Sequence, residues 1–172
     1  MPALLLRLEE RFCILPLTAL AQYADRDQNG VGSPTHCADC RKKTGLRGDH
    51  MDILLVDDSR TMRMIVQRAI RQAGYRALTV GEAENGAQAL EKLRGEKPLL
   101  ILSDWNMPEM SGIDFLMQVR AAQNDVPFGF ITSETSPAIK ELAVNSGATF
   151  LISKPFSPED VQAALTPILG RC

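Results

Sequence analysis

The feature that most constrains this chain is a regular alternation of short apolar runs and longer helical patterns from Met51 onward. Such alternation is typical of a parallel sheet whose strands are joined by crossover helices. The predicted strands are 52–56, 75–80, 99–103, 127–132 and 149–153. The predicted helices are 61–72, 86–94, 113–121, 137–145 and 158–169. Five such units in about 120 residues predict one doubly wound α/β domain around a five-stranded parallel sheet.

Three local patterns add detail to this prediction. The first predicted helix should bury one face, because apolar residues recur at helical spacing at Met62, Ile65, Val66, Ala69 and Ile70. In the last helix, Ser157 is the expected N-cap and Pro158 lies in the first turn, while Pro167 should end or kink the helix early. Gly129 is unexpected inside the fourth strand, because glycine weakens strands, and we expect it to allow close packing.

The composition changes near residue 50. Both histidines and three of the four cysteines lie in residues 1–50, whereas the later part contains only Cys172. A core without cysteine favours a reducing compartment, so we expect a cytoplasmic protein. The hydrophobic share of 45% and the net charge of −2 suit a soluble monomer. They give no sign of nucleic-acid or membrane binding.

Residues 1–50 are predicted to be an extension that precedes a domain of residues 51–172. Since Met51 stands directly before the first strand, we interpret the extension as a misassigned start or a disordered tail. The stretch DRDQNG (25–30) imitates a calcium loop, but His36 stands where the loop needs a glutamate. The stretch CADC (37–40) has zinc-ligand spacing without a second pair. The stretch FCILPLTALA (12–21) resembles a signal-peptide core without its basic leader.

Polar side chains follow four of the five predicted strands, at the points where the strands end. They are Asp57 and Asp58, Asp104, Thr132 and Lys154. The carboxyl ends of parallel strands meet at one edge of a sheet, where ligands bind, so these side chains should converge. Crowded carboxylates repel each other unless a cation neutralises them. Hard oxygen ligands of this kind suit Mg²⁺, which typically pairs with phosphate oxygens.

These residue types support phosphoryl chemistry on an aspartate. An Asp carboxylate can act as a nucleophile and become an aspartyl-phosphate, and Asp104 on the central strand is the candidate. Asp57 and Asp58 would then hold the metal, and Lys154 would pair with phosphoryl oxygens. One Asp at a strand end is usually a helix cap or turn residue. Three carboxylates with a threonine and a lysine at four strand ends are poorly explained that way.

Four stretches carry a family resemblance: VDDSRTMRMIV (56–66), SDWNMPEMSG (103–112), ITSE (131–134) and SKPF (153–156). With them, residues 51–169 resemble a response-regulator receiver domain of two-component signalling, and in particular the CheY-like single-domain chemotaxis regulators. The resemblance implies the flavodoxin-like (βα)5 fold. It also implies that Asp104 accepts a phosphoryl group from a histidine kinase. No enzyme activity is expected beyond the domain's own phosphorylation and dephosphorylation.

The resemblance also implies a role for each site residue. The Mg²⁺ ligands would be Asp58 and Asp104 directly, Asp57 through a water molecule and Asn106 through its backbone carbonyl. Lys154 would contact the phosphoryl group. Thr132 would donate its hydroxyl to that group and draw the following loop inward, which gives a two-state switch. The peptide bond between Lys154 and Pro155 is cis in the family, and the same is expected here.

The implied partners are a histidine kinase as phosphodonor, a phosphatase and a protein output target such as the flagellar motor switch. Since no effector domain follows in this sequence, the output is expected to be protein binding. The expected surface is formed by the fourth helix, fifth strand and fifth helix of the predicted domain. Many receivers carry Tyr or Phe where Leu151 stands. A leucine cannot swing a ring, so the output coupling is expected to differ and motor binding is less expected.

Three other functions compete with this interpretation. A phosphatase of the haloacid-dehalogenase kind wants a second Asp two residues after its nucleophile, and here Asn106 occupies that position. A receiver-like scaffold that is never phosphorylated often lacks the acceptor Asp or the lysine, and both are present. A phosphate sink, which drains a kinase without an output partner, remains open because of Leu151.

Overall fold

A computed structural model describes residues 12–14 and 51–170. The calcium-like and zinc-like stretches, and all but the first three residues of the signal-like stretch, lie outside the described residues. The strands are β1 (Phe12–Ile14), β2 (Ile53–Val56), β3 (Val80–Ala83), β4 (Leu100–Ser103), β5 (Phe128–Thr132) and β6 (Phe150–Ser153). The helices are α1 (Arg60–Gln72), α2 (Gly86–Gly95), α3 (Gly112–Ala121), α4 (Pro137–Asn145) and α5 (Pro158–Leu169).

The strands form one sheet in the order β1-β6-β5-β4-β2-β3. Strands β2 to β6 are all parallel, which confirms the five-stranded parallel sheet, and five helices alternate with these strands, four of them as crossovers. The short strand β1 adds an antiparallel pairing at the edge of β6, with Phe12 opposite Ile152. The sequence did not predict β1, because three residues are too few to show a period.

Helices cover both faces of the sheet and bury two apolar clusters. Leu54 and Phe128 belong to the cluster on one face, and Ile53 and Leu55 belong to the cluster on the other. Successive strand residues alternate between faces, so a strand buried on both sides is a continuous apolar run. Within the part of the chain that is described, no helix has the length and apolar character needed to cross a membrane.

The second strand lies later than predicted. The prediction of residues 75–80 was wrong, because β3 occupies Val80–Ala83. Tyr75 instead anchors the preceding turn: its ring is buried, and its hydroxyl donates to the Gly170 carbonyl at 3.0 Å. The strand itself reads VGEA and lies at the sheet edge. Its glycine and glutamate give little strand propensity, which explains why the pattern pointed elsewhere.

The buried face of α1 was predicted in part. Val66, Ala69 and Ile70 are buried as expected, but Ile65 is 47% exposed, which corrects the prediction for that residue. Arg63 takes its place on the buried face with 5% exposure.

The prediction for α5 was confirmed at the start of the helix but not at its end. A capping box between Ser157 and Asp160 begins the helix, which confirms Ser157 as the N-cap. Of the two effects expected of Pro167, an early end to the helix was wrong, because α5 continues to Leu169 with Pro167 inside it; the kink stays a prediction. Pro167 lies on the exposed side of the helix.

Gly129 provides the close packing that the sequence led us to expect. It lies opposite Phe150 in the register of β5 and β6. A Cβ atom at residue 129 would meet Cζ of the Phe150 ring at 2.2 Å and Cε2 at 2.3 Å. Real Cβ atoms essentially never make such contacts, so the Phe150 ring occupies the space that a side chain at residue 129 would need.

Candidate functional site

The carboxyl ends of the two central strands place two aspartates side by side. The sheet ladder continues one residue past β2 and β4: the Asp57 amide donates to the Ala83 carbonyl at 3.2 Å, and the Asp104 amide donates to the Val56 carbonyl at 2.8 Å. These backbone hydrogen bonds fix both residues before their side chains contribute. The position of the pair therefore follows from strand register.

Asp57, Asp58 and Asp104 form one group of carboxylates. Each offers one oxygen, and these oxygens lie within 4.8 Å of one another. Asp57 is buried, Asp104 is partly buried and Asp58 is exposed, so the group runs from the protein interior to the surface. Such a set of hard oxygen donors could hold a divalent cation, and its chemistry fits Mg²⁺ better than a softer metal.

Lys154 joins the group from the end of β6. Its Nζ lies 3.0 Å from Oδ1 of Asp104 and 3.4 Å from Oδ2 of Asp57. With all three carboxyls ionised, one ammonium leaves a negative excess that a divalent cation would neutralise. The Lys154 amide donates to the Thr132 carbonyl at 2.7 Å, which ties two predicted site residues together. The bond between Lys154 and Pro155 is cis, as predicted.

Burial dominates the electrostatics of Asp57. It raises the pKa of the Asp57 carboxyl above its ordinary value, because a charge is less favourable away from water. Two contacts act in the opposite direction: the Ser59 amide donates to Oδ1 at 2.8 Å, and Lys154 lies on the other oxygen. The nearby charge of Asp104 raises the pKa further. An ionised Asp57 is therefore a cost to the metal-free fold.

We expect Asp57→Asn to raise the free energy of unfolding of the metal-free protein at pH 7. A carboxyl whose pKa is raised in the folded state destabilises the fold above that pKa, and the penalty shrinks as the pH falls towards the unfolded-state value. Asparagine keeps an oxygen for the Ser59 amide but carries no charge. Urea unfolding of both proteins with a chelator present, from pH 7 to pH 4, measures the difference. A gain that grows as the pH falls would contradict this explanation.

The other predicted residues surround this group at different depths. Thr132 is fully buried at the end of β5, and its Oγ1 accepts a hydrogen bond from the Glu134 amide at 3.0 Å. Asn106 is exposed in the loop between β4 and α3. Leu151 is 3% exposed and packs within the apolar cluster that also contains Trp105 and Phe130.

Sequence reasoning missed Arg63. Its Nη1 donates to the carbonyl oxygen of Asp57 at 2.8 Å, inside the protein. A signal was available, since residues 63, 66 and 70 share a helical face. The apolar stripe drew attention to Met62 and Ile65 instead, because a charged residue is rarely expected on a buried face.

Residues 53–166 match the response regulator receiver domain family, so the chain belongs to that family. It contains a receiver domain of two-component signalling, and CheY-like domains of this family are signalling switches and not classical enzymes.

Similar proteins fall within the same class. The chain is 40% identical over 123 residues to the chemotaxis protein CheY1 of Helicobacter pylori, covering 70% of this chain and 98% of that protein. It is 37% identical to a chemotaxis protein CheY homolog of Campylobacter jejuni, covering 70% of this chain and 93% of that protein. Among solved structures, chemotaxis protein CheY4 of Vibrio cholerae matches with a TM-score of 0.62 and 37% identity, over 70% of this chain and 99% of that one.

Proposed function

We propose that this chain is a phosphorylated switch that accepts a phosphoryl group on Asp104 from a histidine kinase and signals through protein binding. The observation that carries the proposal is the placement of the Lys154 ammonium 3.0 Å from the Asp104 carboxylate, beside two further carboxylates. This arrangement combines a nucleophile, a cation for phosphoryl oxygens and oxygen ligands for a metal at one edge of the sheet.

In the proposed transfer, an Asp104 carboxylate oxygen attacks phosphorus and forms a P–O bond. The P–N bond to the kinase histidine breaks, and the departing imidazole keeps the bonding electron pair. Lys154 pairs with the oxygens of the incoming group. Asp57, Asp58 and Asp104, with the carbonyl of Asn106, would hold Mg²⁺. When bound, Mg²⁺ supplies positive charge that offsets the charge of the transferred group.

Thr132 is the proposed link between phosphorylation and the following loop. Its hydroxyl oxygen already accepts from the Glu134 amide, so the hydroxyl proton is available to donate to a phosphoryl oxygen. A shift of Thr132 towards that oxygen would carry residues 133–134 with it. The affected surface would be that of α4, β6 and α5. In the sheet, β1 is paired with the outer side of β6. Such coupling between a phosphate contact and a loop is a two-state device.

The names of the relatives support a place in chemotaxis. Two relatives, at 40% and 37% identity, are chemotaxis proteins, and 98% and 93% of their lengths are covered here. A domain of this size therefore makes up nearly all of each relative. We propose that residues 51–172 form the corresponding unit in this chain, with output to a protein partner, a phosphatase for reversal and a site in the cytoplasm.

Intact-mass measurement of the full chain after incubation with Mg²⁺ and acetyl phosphate tests the proposal. We expect one phosphoryl adduct, together with a change in fluorescence of Trp105, which directly follows Asp104. Omitting Mg²⁺ should suppress both signals. A chain that shows no adduct with acetyl phosphate, and none with an autophosphorylated chemotaxis histidine kinase, would be a scaffold and not a switch.

Leu151 favours a second candidate function, that of a phosphate sink. Its side chain is buried within the apolar cluster and has no ring to move between two positions. Amide hydrogen exchange of the phosphorylated and unphosphorylated forms distinguishes the two functions. Changed protection in α4, β6 and α5 supports a protein-binding switch, whereas changes confined to the site support a sink.

A further inference from the structure

A buried arginine contacts the backbone of Asp57, one of the three aspartates that form the candidate metal site. Arg63 of α1 is 5% exposed, and its guanidinium makes three hydrogen bonds. Nη1 donates to the Asp57 carbonyl at 2.8 Å, Nε donates to Glu82 at 2.7 Å, and Nη2 donates to Glu84 at 3.1 Å. The planar guanidinium suits such a three-way bridge, whereas a lysine presents only a point charge.

The hydrogen bond to Asp57 fixes the peptide group between the two adjacent aspartates. The carbonyl that Arg63 holds belongs to the same peptide as the Asp58 amide. The Asp57 carboxylate is held separately, by the Ser59 amide and by Lys154. Both ends of Asp57 are thus restrained, while Asp58 is exposed and depends on the orientation of that peptide.

The two glutamates make this arrangement compatible with a cation nearby. An unpaired guanidinium behind the carboxylates would repel a bound metal. Glu82 and Glu84 form ion pairs with Arg63 and neutralise its charge, and the hydrogen bond from Arg63 lowers the pKa of the Glu82 carboxyl. Gln67 supports Glu82 with a hydrogen bond of 2.6 Å. Arg63 therefore donates a hydrogen bond to the Asp57 carbonyl without adding net positive charge near the candidate metal site.

We propose that Arg63 is a positioning residue for the metal site, acting through the Asp57–Asp58 peptide. The inference rests on the proposed Mg²⁺ binding and deepens it, since it explains why a charged side chain is buried at this point of α1. Partners that orient metal ligands typically change metal affinity by 10- to 100-fold when they are removed. Because Arg63 contacts backbone rather than carboxylate, we expect an effect near the lower end.

The test compares Arg63→Lys with Arg120→Lys. Arg120 is a matched control, since it also bridges backbone carbonyls, those of Asn124, Val126 and Gly147, but before the amino ends of β5 and β6. Mg²⁺ titration followed by Trp105 fluorescence should show about tenfold weaker binding for Arg63→Lys. Arg120→Lys should bind as the parent does, even if both variants lose thermal stability. Amide exchange at Ser59, whose N–H donates to the Asp57 carboxylate at 2.8 Å, should rise in metal-free protein only in Arg63→Lys.

Each result separates this inference from the proposed function. If the parent binds Mg²⁺ and Arg63→Lys binds equally well, the positioning role is overturned while the metal site stands. If the parent shows no Mg²⁺ response, the proposed metal site fails, and exchange at the Ser59 amide still decides whether Arg63 orders residues 57–59. If Arg63→Lys does not fold, Glu84→Gln replaces it, because that glutamate is 63% exposed. A smaller loss of affinity in the same direction is expected there, and none would overturn the inference.

Discussion

Asp104→Asn is expected to abolish the phosphoryl adduct formed with acetyl phosphate and Mg²⁺. An amide is a very poor nucleophile compared with a carboxylate, so the attack on phosphorus has no substitute at this position. The fold should survive, because asparagine has the same shape and the Asp104 amide keeps its hydrogen bond to the Val56 carbonyl. Intact mass of parent and variant, with Trp105 fluorescence as a second signal, measures the loss.

Asp125→Asn is the matched control for this experiment. Asp125 is an exposed aspartate in the loop before β5. It lies at the amino ends of the strands, whereas Asp57, Asp58 and Asp104 lie at their carboxyl ends. This variant should gain the adduct as the parent does. An adduct that persists in Asp104→Asn would place the phosphoryl group on another residue, and peptide mapping would then have to find it. The transfer proposed above would be wrong in that case.

The candidate site was predictable from sequence to an unusual degree, and the reason is geometric. In a parallel sheet, a residue that directly follows a strand must lie at the binding edge, whatever the rest of the fold does. Asp57, Asp104 and Lys154 each follow a clear apolar run, so finding the strands also located the residues. Their hydrogen bonds and oxygen distances add detail to that arrangement. The roles of Asp104, Thr132 and Asn106 remain predictions.

The features that the sequence did not reveal depend on tertiary partners. β3 is an edge strand with a glycine and a glutamate, so its pairing to β2 decides its position more than its own propensity does. Arg63 can be buried only because Glu82 and Glu84, some twenty residues away, approach it in the fold. Strand β1 depends on a free edge of β6. The two strands leave no periodic pattern in their own segments, and the helical spacing of Arg63 does not reveal the glutamates that pair with it.

Gly129→Ala is expected to lower the free energy of unfolding by about 2 kcal/mol, as overpacked cores typically do. Inside a strand, alanine is intrinsically more favourable than glycine. A net loss of stability would therefore mean that the packing clash outweighs the higher strand propensity of alanine. The clash is with the Phe150 ring, whose Cζ, Cε2 and Cε1 would lie 2.2, 2.3 and 2.8 Å from the new Cβ. Gly95→Ala is the matched control, because nothing lies within 4 Å of a Cβ there. Urea unfolding without divalent cations measures both variants.

Phe150→Leu decides whether the ring is the cause. Leucine lacks the three ring atoms that the new methyl group would meet, so it removes the clash while keeping an apolar side chain in β6. Alone it should cost about 1 kcal/mol for the lost volume. Combined with Gly129→Ala, the double variant should be more stable than the sum of the single effects by about 1–2 kcal/mol, since neighbours that share one space are not additive. Strictly additive effects would mean that the Phe150 ring does not obstruct a side chain at residue 129. Phe150 would then not explain why a glycine stands in this strand.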